Sequence, residues 1–160
     1  MLTWTSHLAQ VRLLQPGYST GYGRRFIASE PTWIGIVPVG YGDGFRRDLT
    51  GTEVRVGGEM RRVVGTVSMD AFAVELEAEL PVGTPVVIVG RGVLAERHAE
   101  VADTITYELV CGINNNPERA RRVVVAACPL RPSRRPARGA SGSAGGRARR
   151  GGADVRAAGR

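Results

Sequence analysis

The chain has 160 residues, 42% of them apolar, which suits about one domain with a modest core. Its apolar runs are shorter than the roughly 18 residues of a membrane span, no signal peptide is recognisable at the N-terminus, and two cysteines, Cys111 and Cys128, are too few for a disulfide framework. The formal net charge of +7 is carried by residues 129–160, which hold nine arginines and one acid, so that residues 1–128 have a net charge of −1. A cytoplasmic protein with reduced thiols is predicted.

The first 30 residues are predicted to contain two strands separated by a loop. Residues 2–14 alternate loosely and include aromatic and β-branched residues, which is typical of a strand, and Pro16-Gly17 ends it. The loop is rich in glycine and tyrosine, and a short strand is predicted at residues 25–28. We interpret Tyr22 in this loop as a packing residue more than a catalytic one.

Two apolar runs are each predicted to be a buried strand that ends in small and polar residues. Residues 33–39 are followed by Gly-Tyr-Gly-Asp-Gly at 40–44, and residues 63–67 are followed by Ser-Met-Asp at 68–70. Three glycines in five residues indicate positive φ or close approach of the backbone to another group. Such a turn would hold Tyr41 in place, although Gly-Asp-Gly is also ordinary turn chemistry.

The rest of the body is predicted to be mostly β. Further strands are predicted at residues 53–56, 59–64, 71–76, 85–89 and 121–127, of which the first two are joined by a Gly-Gly turn. One helix is predicted, with Asp103 as its N-cap and Gly112 at the C′ position, after a shorter helical turn at residues 98–102. The fold class is therefore mainly β: a closed or nearly closed β-barrel-like domain with one or two short helices.

Residues 129–160 have a different composition from the body. They are rich in Arg, Gly, Ala, Ser and Pro, with almost no large apolar residues, so we predict a disordered tail after a domain of residues 1–128. Arginine-rich segments bind phosphate backbones. No aromatic residues interleave with these arginines to stack on bases, so specific nucleic-acid binding is not expected. An extension with no selected role is the alternative.

Four segments resemble the C-terminal domain of alanine racemases, in the family's order, over roughly residues 1–125. They are GYSTGYGRRF at 17–26, PVGYGDGFRRDL at 38–49, VGTVSMD at 64–70 and ADTITYELVCGIN at 102–114. These racemases are pyridoxal-phosphate enzymes that interconvert L- and D-alanine. The resemblance implies that Tyr41 is the base for L-alanine and that the backbone of Met69 contacts the substrate carboxylate. Asp43 and Asp70 then take supporting roles, and no metal site is predicted.

The resemblance also implies that other parts of the enzyme lie outside this sequence. All 22 basic residues are arginine, whereas a pyridoxal-phosphate enzyme needs a lysine amine to hold its cofactor. In the family that lysine lies on an N-terminal α/β barrel and serves the D-face, and the C-terminal domain reaches across a homodimer. The chain alone is therefore expected to hold part of an active site and to be inactive.

Some positions depart from the family's pattern. Thr66 stands where many relatives have an arginine, and Ser68 where a cysteine is common. Asn114–Asn116 occupy the place of a tyrosine that contacts the cofactor phosphate in some relatives, so no phosphate contact is assigned. Two other functions stay open: the domain of another fold-type III amino-acid racemase or decarboxylase, and a non-catalytic β-module remnant.

Overall fold

The computed structural model describes residues 2–121 and 123, and it shows a mainly β domain with two short helices. The strands are β1 (Trp4–His7), β2 (Gln10–Leu14), β3 (Ser19–Thr20), β4 (Phe26–Ile27), β5 (Thr32–Val37), β6 (Glu53–Val56), β7 (Glu59–Val64), β8 (Phe72–Leu76) and β9 (Pro85–Val89). The helices are α1 (Ala95–Val101) and α2 (Thr106–Cys111). Most of the strand predicted at 121–127, and all of 129–160, lie outside the described residues.

Seven strands form one antiparallel sheet in the order β1-β9-β6-β7-β8-β5-β2, while β3 and β4 pair separately. The two edge strands, β1 and β2, are consecutive in the chain and are joined by Leu8 and Ala9. The Leu8 N–H donates to the Thr84 carbonyl, beside β9, at 3.0 Å, and the Ala9 N–H donates to Ile36 of β5 at 2.8 Å. The chain thus crosses from one edge of the sheet to the other within two residues. This curled half-barrel confirms the predicted β-barrel-like fold.

The prediction of one strand over residues 2–14 is wrong, because the structure has two. The break falls at Leu8, which is fully buried in the main core. No glycine or proline marks this break. It is set instead by pairing, since β1 bonds to β9 whereas β2 bonds to β5.

The helix boundaries also differ from the prediction. α1 begins at Ala95, before the expected turn at residues 98–102, and its buried side faces the core. Asp103 is not the N-cap of α2; Ile105 holds that position without a side-chain cap. Gly112 is the C-cap residue, but its φ of −73° is right-handed. Tertiary packing of short helices outweighs local capping signals here.

The main core is organised around the ring of Phe45. This ring is fully buried and stacks on Phe72, with centroids 4.3 Å apart and an interplanar angle of 23°. Trp4 and His98 contact it edge-on at 6.3 and 6.2 Å. Because Phe45 directly follows the glycine-rich segment at 40–44, that segment is anchored in the core at its C-terminal end.

Candidate active site

The register of the sheet brings the two glycine-containing signature segments together. β5 and β8 pair with Val37 opposite Phe72. The segment that leaves β5 and the segment that enters β8 therefore emerge at the same end of the sheet. We call residues 40–44 the tyrosine turn and residues 68–70 the methionine turn.

Backbone hydrogen bonds join the two turns directly. The Tyr41 N–H donates to the Ser68 carbonyl at 3.0 Å, and the Gly42 N–H donates to the Met69 carbonyl at 2.9 Å. Gly40 allows this approach: a Cβ atom there would lie 2.5 Å from the Met69 carbonyl carbon, closer than Cβ atoms come in proteins. The φ of Gly40 is −143°, which any residue adopts. Close approach, and not conformation, therefore requires this glycine.

The tyrosine turn is also braced from within. Tyr41–Asp43 form a single 3-10 turn. The Asp43 Oδ2 accepts the Gly40 N–H at 2.9 Å, and the Gly40 carbonyl accepts the N–H groups of Asp43 and Phe45, both at 3.0 Å. Gly44 ends the turn with a φ of +104°, in the left-handed region that favours glycine. The turn leaves the Tyr41 side chain 47% exposed.

The methionine turn is closed by its own serine. The Ser68 Oγ accepts the Ala71 N–H at 3.0 Å, and the Ser68 N–H donates to the Ala71 carbonyl at 2.9 Å. Met69 is 49% exposed. Its carbonyl is used by Gly42, whereas its N–H has no acceptor among residues 2–121 and 123. That N–H is a donor ready for another group.

A third segment, residues 114–119, packs on the tyrosine turn, and sequence reasoning missed its role. The Asn114 side-chain amide donates to the Gly42 carbonyl at 2.9 Å, and its backbone N–H donates to the Asp43 carbonyl at 2.9 Å. The Arg119 guanidinium donates from Nε to Asp43 at 2.8 Å and from Nη2 to Asp70 at 2.6 Å. These hydrogen bonds, first with Asp43 and then with Asp70, raise the pKa of Arg119 above its ordinary value. No local sequence signal could have shown the contacts of Arg119, because the two carboxylates lie 76 and 49 residues away along the chain.

Tyr22 is not the packing residue that its sequence context suggested. Its side chain is 72% exposed. Its carbonyl accepts the Thr66 hydroxyl at 2.8 Å. The loop around Tyr22 thus lies beside the strand-end segment that leads into the methionine turn.

The assembled arrangement places two groups at one end of the sheet: a half-exposed phenol and the Met69 N–H, which has no acceptor among the described residues. In the described part of the chain, the Tyr41 hydroxyl makes no hydrogen bond, and no group of three or more His, Cys, Asp or Glu side chains is placed to hold a metal ion. None of the helices described is long and apolar enough to cross a membrane. The fold defines the class: a mainly β domain built on a seven-stranded curled half-barrel sheet with two short helices.

Comparison with known proteins identifies the family. The family model "Alanine racemase, C-terminal domain" matches residues 1–122. Alanine racemase 1 of Bacillus subtilis is 40% identical over 121 residues, covering 73% of this chain and 31% of that protein. The alanine racemase of Nitrosomonas eutropha is 43% identical over 117 residues, covering 71% of this chain and 32% of that protein.

Solved structures agree in fold. The alanine racemase from E. faecalis matches with a TM-score of 0.68 and 38% identity, over 70% of this chain and 31% of that one. The Bacillus anthracis enzyme with bound L-Ala-P matches with a TM-score of 0.68 and 34% identity, over 70% of this chain and 30% of that one. The chain therefore belongs to the alanine racemase family and corresponds to its C-terminal domain. It spans about a third of the length of the curated relatives it matches.

Proposed function

We propose that this chain is the C-terminal domain of an alanine racemase, a pyridoxal-phosphate isomerase that supplies D-alanine for cell-wall peptidoglycan. In this proposal Tyr41 exchanges the proton on the L-face of the substrate. The single observation that carries it is the half-exposed Tyr41, held on a turn that is bonded through its backbone to the methionine turn. The relatives named above support the reaction assigned.

We assign no residue of this chain to holding the cofactor, which instead lies beside the domain. The sequence has no lysine, and Arg119 is already paired with two carboxylates. The cofactor is therefore assigned to a barrel domain outside this sequence. Bound there, pyridoxal phosphate stabilises the negative charge that develops at the substrate Cα.

Racemisation needs a proton acceptor and a proton donor on opposite faces of Cα. Tyr41 as phenolate accepts the proton that leaves Cα of L-alanine, and the phenol so formed returns a proton to the same face in the reverse direction, while the barrel's lysine serves the other face. The turn fixes the backbone from which the Tyr41 side chain projects, because Asp43 and the Gly40 carbonyl brace the residues around it. Pre-set positioning of this kind lowers the entropy cost of proton transfer.

Met69 and the two aspartates take supporting parts. The free Met69 N–H suits the carboxylate of the substrate, because hydrogen bonds to anions are stronger than neutral ones. The flexible Met69 side chain would line a small pocket that the docked barrel completes. Asp43 braces the tyrosine turn and Asp70 orients its neighbours, since the carboxylates of both are engaged by Arg119.

The exposure of Tyr41 and Met69 also supports a proposed partner, a barrel domain that docks against them. Both side chains are about half exposed at the same end of the sheet, so they are open to a barrel that docks there. We assign that barrel to the second copy of a homodimer. The proposal places the enzyme in the cytoplasm, in keeping with the two cysteines of the sequence.

The test replaces the matching third of Bacillus subtilis alanine racemase 1 with residues 1–121 of this chain. In this hybrid enzyme, Tyr41→Phe removes the ionisable oxygen and keeps the ring. Exchange of the Cα proton of L-alanine with deuterated solvent should fall by about 10²–10⁴-fold, because general-base catalysis contributes that much. Exchange from D-alanine should persist, because the lysine of the barrel remains.

The matched control is Tyr107→Phe, which removes a hydroxyl from an exposed side chain of α2 and should leave both rates unchanged. If L-alanine exchange in Tyr41→Phe stays within a few-fold of the parent hybrid, Tyr41 is a structural turn residue. A second candidate, a non-catalytic β module, is favoured by the departures from the family's pattern at Thr66, Ser68 and Asn114–Asn116. A hybrid that folds and binds cofactor but does not racemise alanine would select that candidate.

A further inference from the structure

Three arginines of the described chain each bridge two carboxylates. Arg46 pairs with Asp48 and Glu108, and Arg61 pairs with Glu59 and Glu77. In both cases one partner is only two residues away in sequence. Arg119 differs, because one of its carboxylates belongs to the tyrosine turn and the other to the methionine turn.

The Arg119 guanidinium lies across the seam between these turns. A Cβ atom on Gly42 would lie 3.0 Å from the Arg119 Nη2 and 3.1 Å from the Met69 carbonyl oxygen. The guanidinium therefore sits beside the hydrogen bond that Gly42 donates to Met69. Its side chain is 33% exposed, and the Asp43 side chain is 14% exposed.

Asp43 is held from two sides. Its Oδ1 accepts Arg119 Nε at 2.8 Å, and its Oδ2 accepts the Gly40 N–H at 2.9 Å. A planar guanidinium with several donors can satisfy two carboxylates at once, which a single ammonium group does less well. Charge-assisted hydrogen bonds of this kind are stronger than neutral ones.

We propose that Arg119 is a positioning residue that locks the tyrosine turn to the methionine turn and so sets the distance between Tyr41 and Met69. The idea rests on the proposed function, because it matters for catalysis only if both residues contact the substrate. Arg119 acts through Asp43 and Asp70. The segment of residues 114–119, which includes the departure from the family's pattern at Asn114–Asn116, is thus a brace for the site.

The first experiment uses the full 160-residue chain and measures amide hydrogen exchange at Tyr41 and Gly42 by NMR. These two N–H groups bridge the turns. In Arg119→Gln, both should exchange about 5-fold faster or more, because loss of the ion pairs favours local opening. Amides in β8 and β9 should keep their rates. The matched control is Arg46→Gln, whose side chain has nearly the same exposure, 32%, and it should change neither the Tyr41 nor the Gly42 rate.

Two more variants make the test specific. Arg119→Lys keeps the charge but loses the planar fork, so it should accelerate exchange almost as much as Arg119→Gln. Asp70→Asn removes only the outer ion pair, so it should give a smaller acceleration in a protein that remains folded. Three results would each overturn the proposal. The first is an unchanged exchange rate at Tyr41 and Gly42 in both Asp70→Asn and Arg119→Gln. The second is exchange in Arg119→Lys as slow as in the parent, and the third is exchange in Arg46→Gln as fast as in Arg119→Gln.

The second experiment uses the hybrid enzyme. Arg119→Gln should lower the rate of L-alanine proton exchange at saturating substrate by about 10-fold, since small misplacements of reacting groups are costly, whereas Arg46→Gln should stay within 2-fold. If Tyr41→Phe has no effect, the proposed function fails. If Tyr41→Phe lowers exchange and Arg119→Gln does not, only the role of Arg119 fails.

Discussion

Replacing Gly40 with alanine should separate the two turns while leaving the rest of the sheet intact. The added Cβ would lie 2.5 Å from the Met69 carbonyl carbon, and it would be closer still to the carbonyl oxygens of Ser68 and Met69. All three are backbone atoms, so no side chain can rotate away. The φ of −143° at Gly40 suits alanine, which means that the effect comes from this contact alone.

The expected loss follows from the distances. Moving the turns apart until the new Cβ lies 3.0 to 3.4 Å from the Met69 carbonyl carbon requires about 0.5–0.9 Å, and clearing the two nearer oxygens requires more. The hydrogen bonds from Tyr41 and Gly42, now 3.0 and 2.9 Å, would lengthen to about 3.5 Å or beyond, where hydrogen bonding is lost. At about 1–2 kcal/mol for each donor left unpaired, the free energy of unfolding should fall by about 2–4 kcal/mol. For a domain of this size, Tm falls by about 10 °C.

Thermal and urea unfolding of the 160-residue chain, followed by circular dichroism, measures this loss. Gly42→Ala is the matched control. Its Cβ would lie 3.0 Å from the Arg119 Nη2, 3.1 Å from the Met69 carbonyl oxygen and 3.2 Å from the Met69 Cγ, so shifts of a few tenths of an ångström would relieve every contact. It should cost less than about 1 kcal/mol. A Gly40→Ala protein that melts within 2 °C of the parent, or a Gly42→Ala protein that loses as much, would refute the reasoning.

Two further predictions concern the core. The ring nitrogens of His98 lie 2.6 Å from the Thr52 Oγ1 and 2.7 Å from the Ile88 carbonyl oxygen, and burial lowers the pKa of this residue. The unfolded chain therefore binds the proton more readily than the folded chain. The contribution of His98 to stability is complete above about pH 6.5 and is lost as the pH falls below that value. Urea unfolding at pH 7.5 and 5 should show a smaller pH dependence of the free energy of unfolding in His98→Asn than in the parent, and an equal pH dependence contradicts the assignment. Phe45→Ala should lower the free energy of unfolding by about 3–5 kcal/mol, because it leaves a cavity beside Phe72. Less than about 1.5 kcal/mol lost would show that the core collapses around the gap.

Local pattern was enough for the strands that carry clear alternation or a strong turn signal. The hairpin of β6 and β7 was predicted because Gly57-Gly58 joins two alternating runs, and both strands appear with the predicted bounds. β9 also matches at residues 85–89. The break at Leu8 and the start of α1 were missed, because both depend on which distant strands and core residues the chain meets.

The sequence by itself determined most of the strands, the resemblance of roughly residues 1–125 to the C-terminal domain of alanine racemases, and the absence of a lysine to hold a cofactor. It also singled out Tyr41 and Met69 as candidates. Only the tertiary structure showed how these residues meet. That depends on the register that places Val37 opposite Phe72. It depends as well on Arg119, which reaches carboxylates 76 and 49 residues away. Local propensity carries no information about such contacts, because they exist only once the sheet has formed and its loops have been brought to one end.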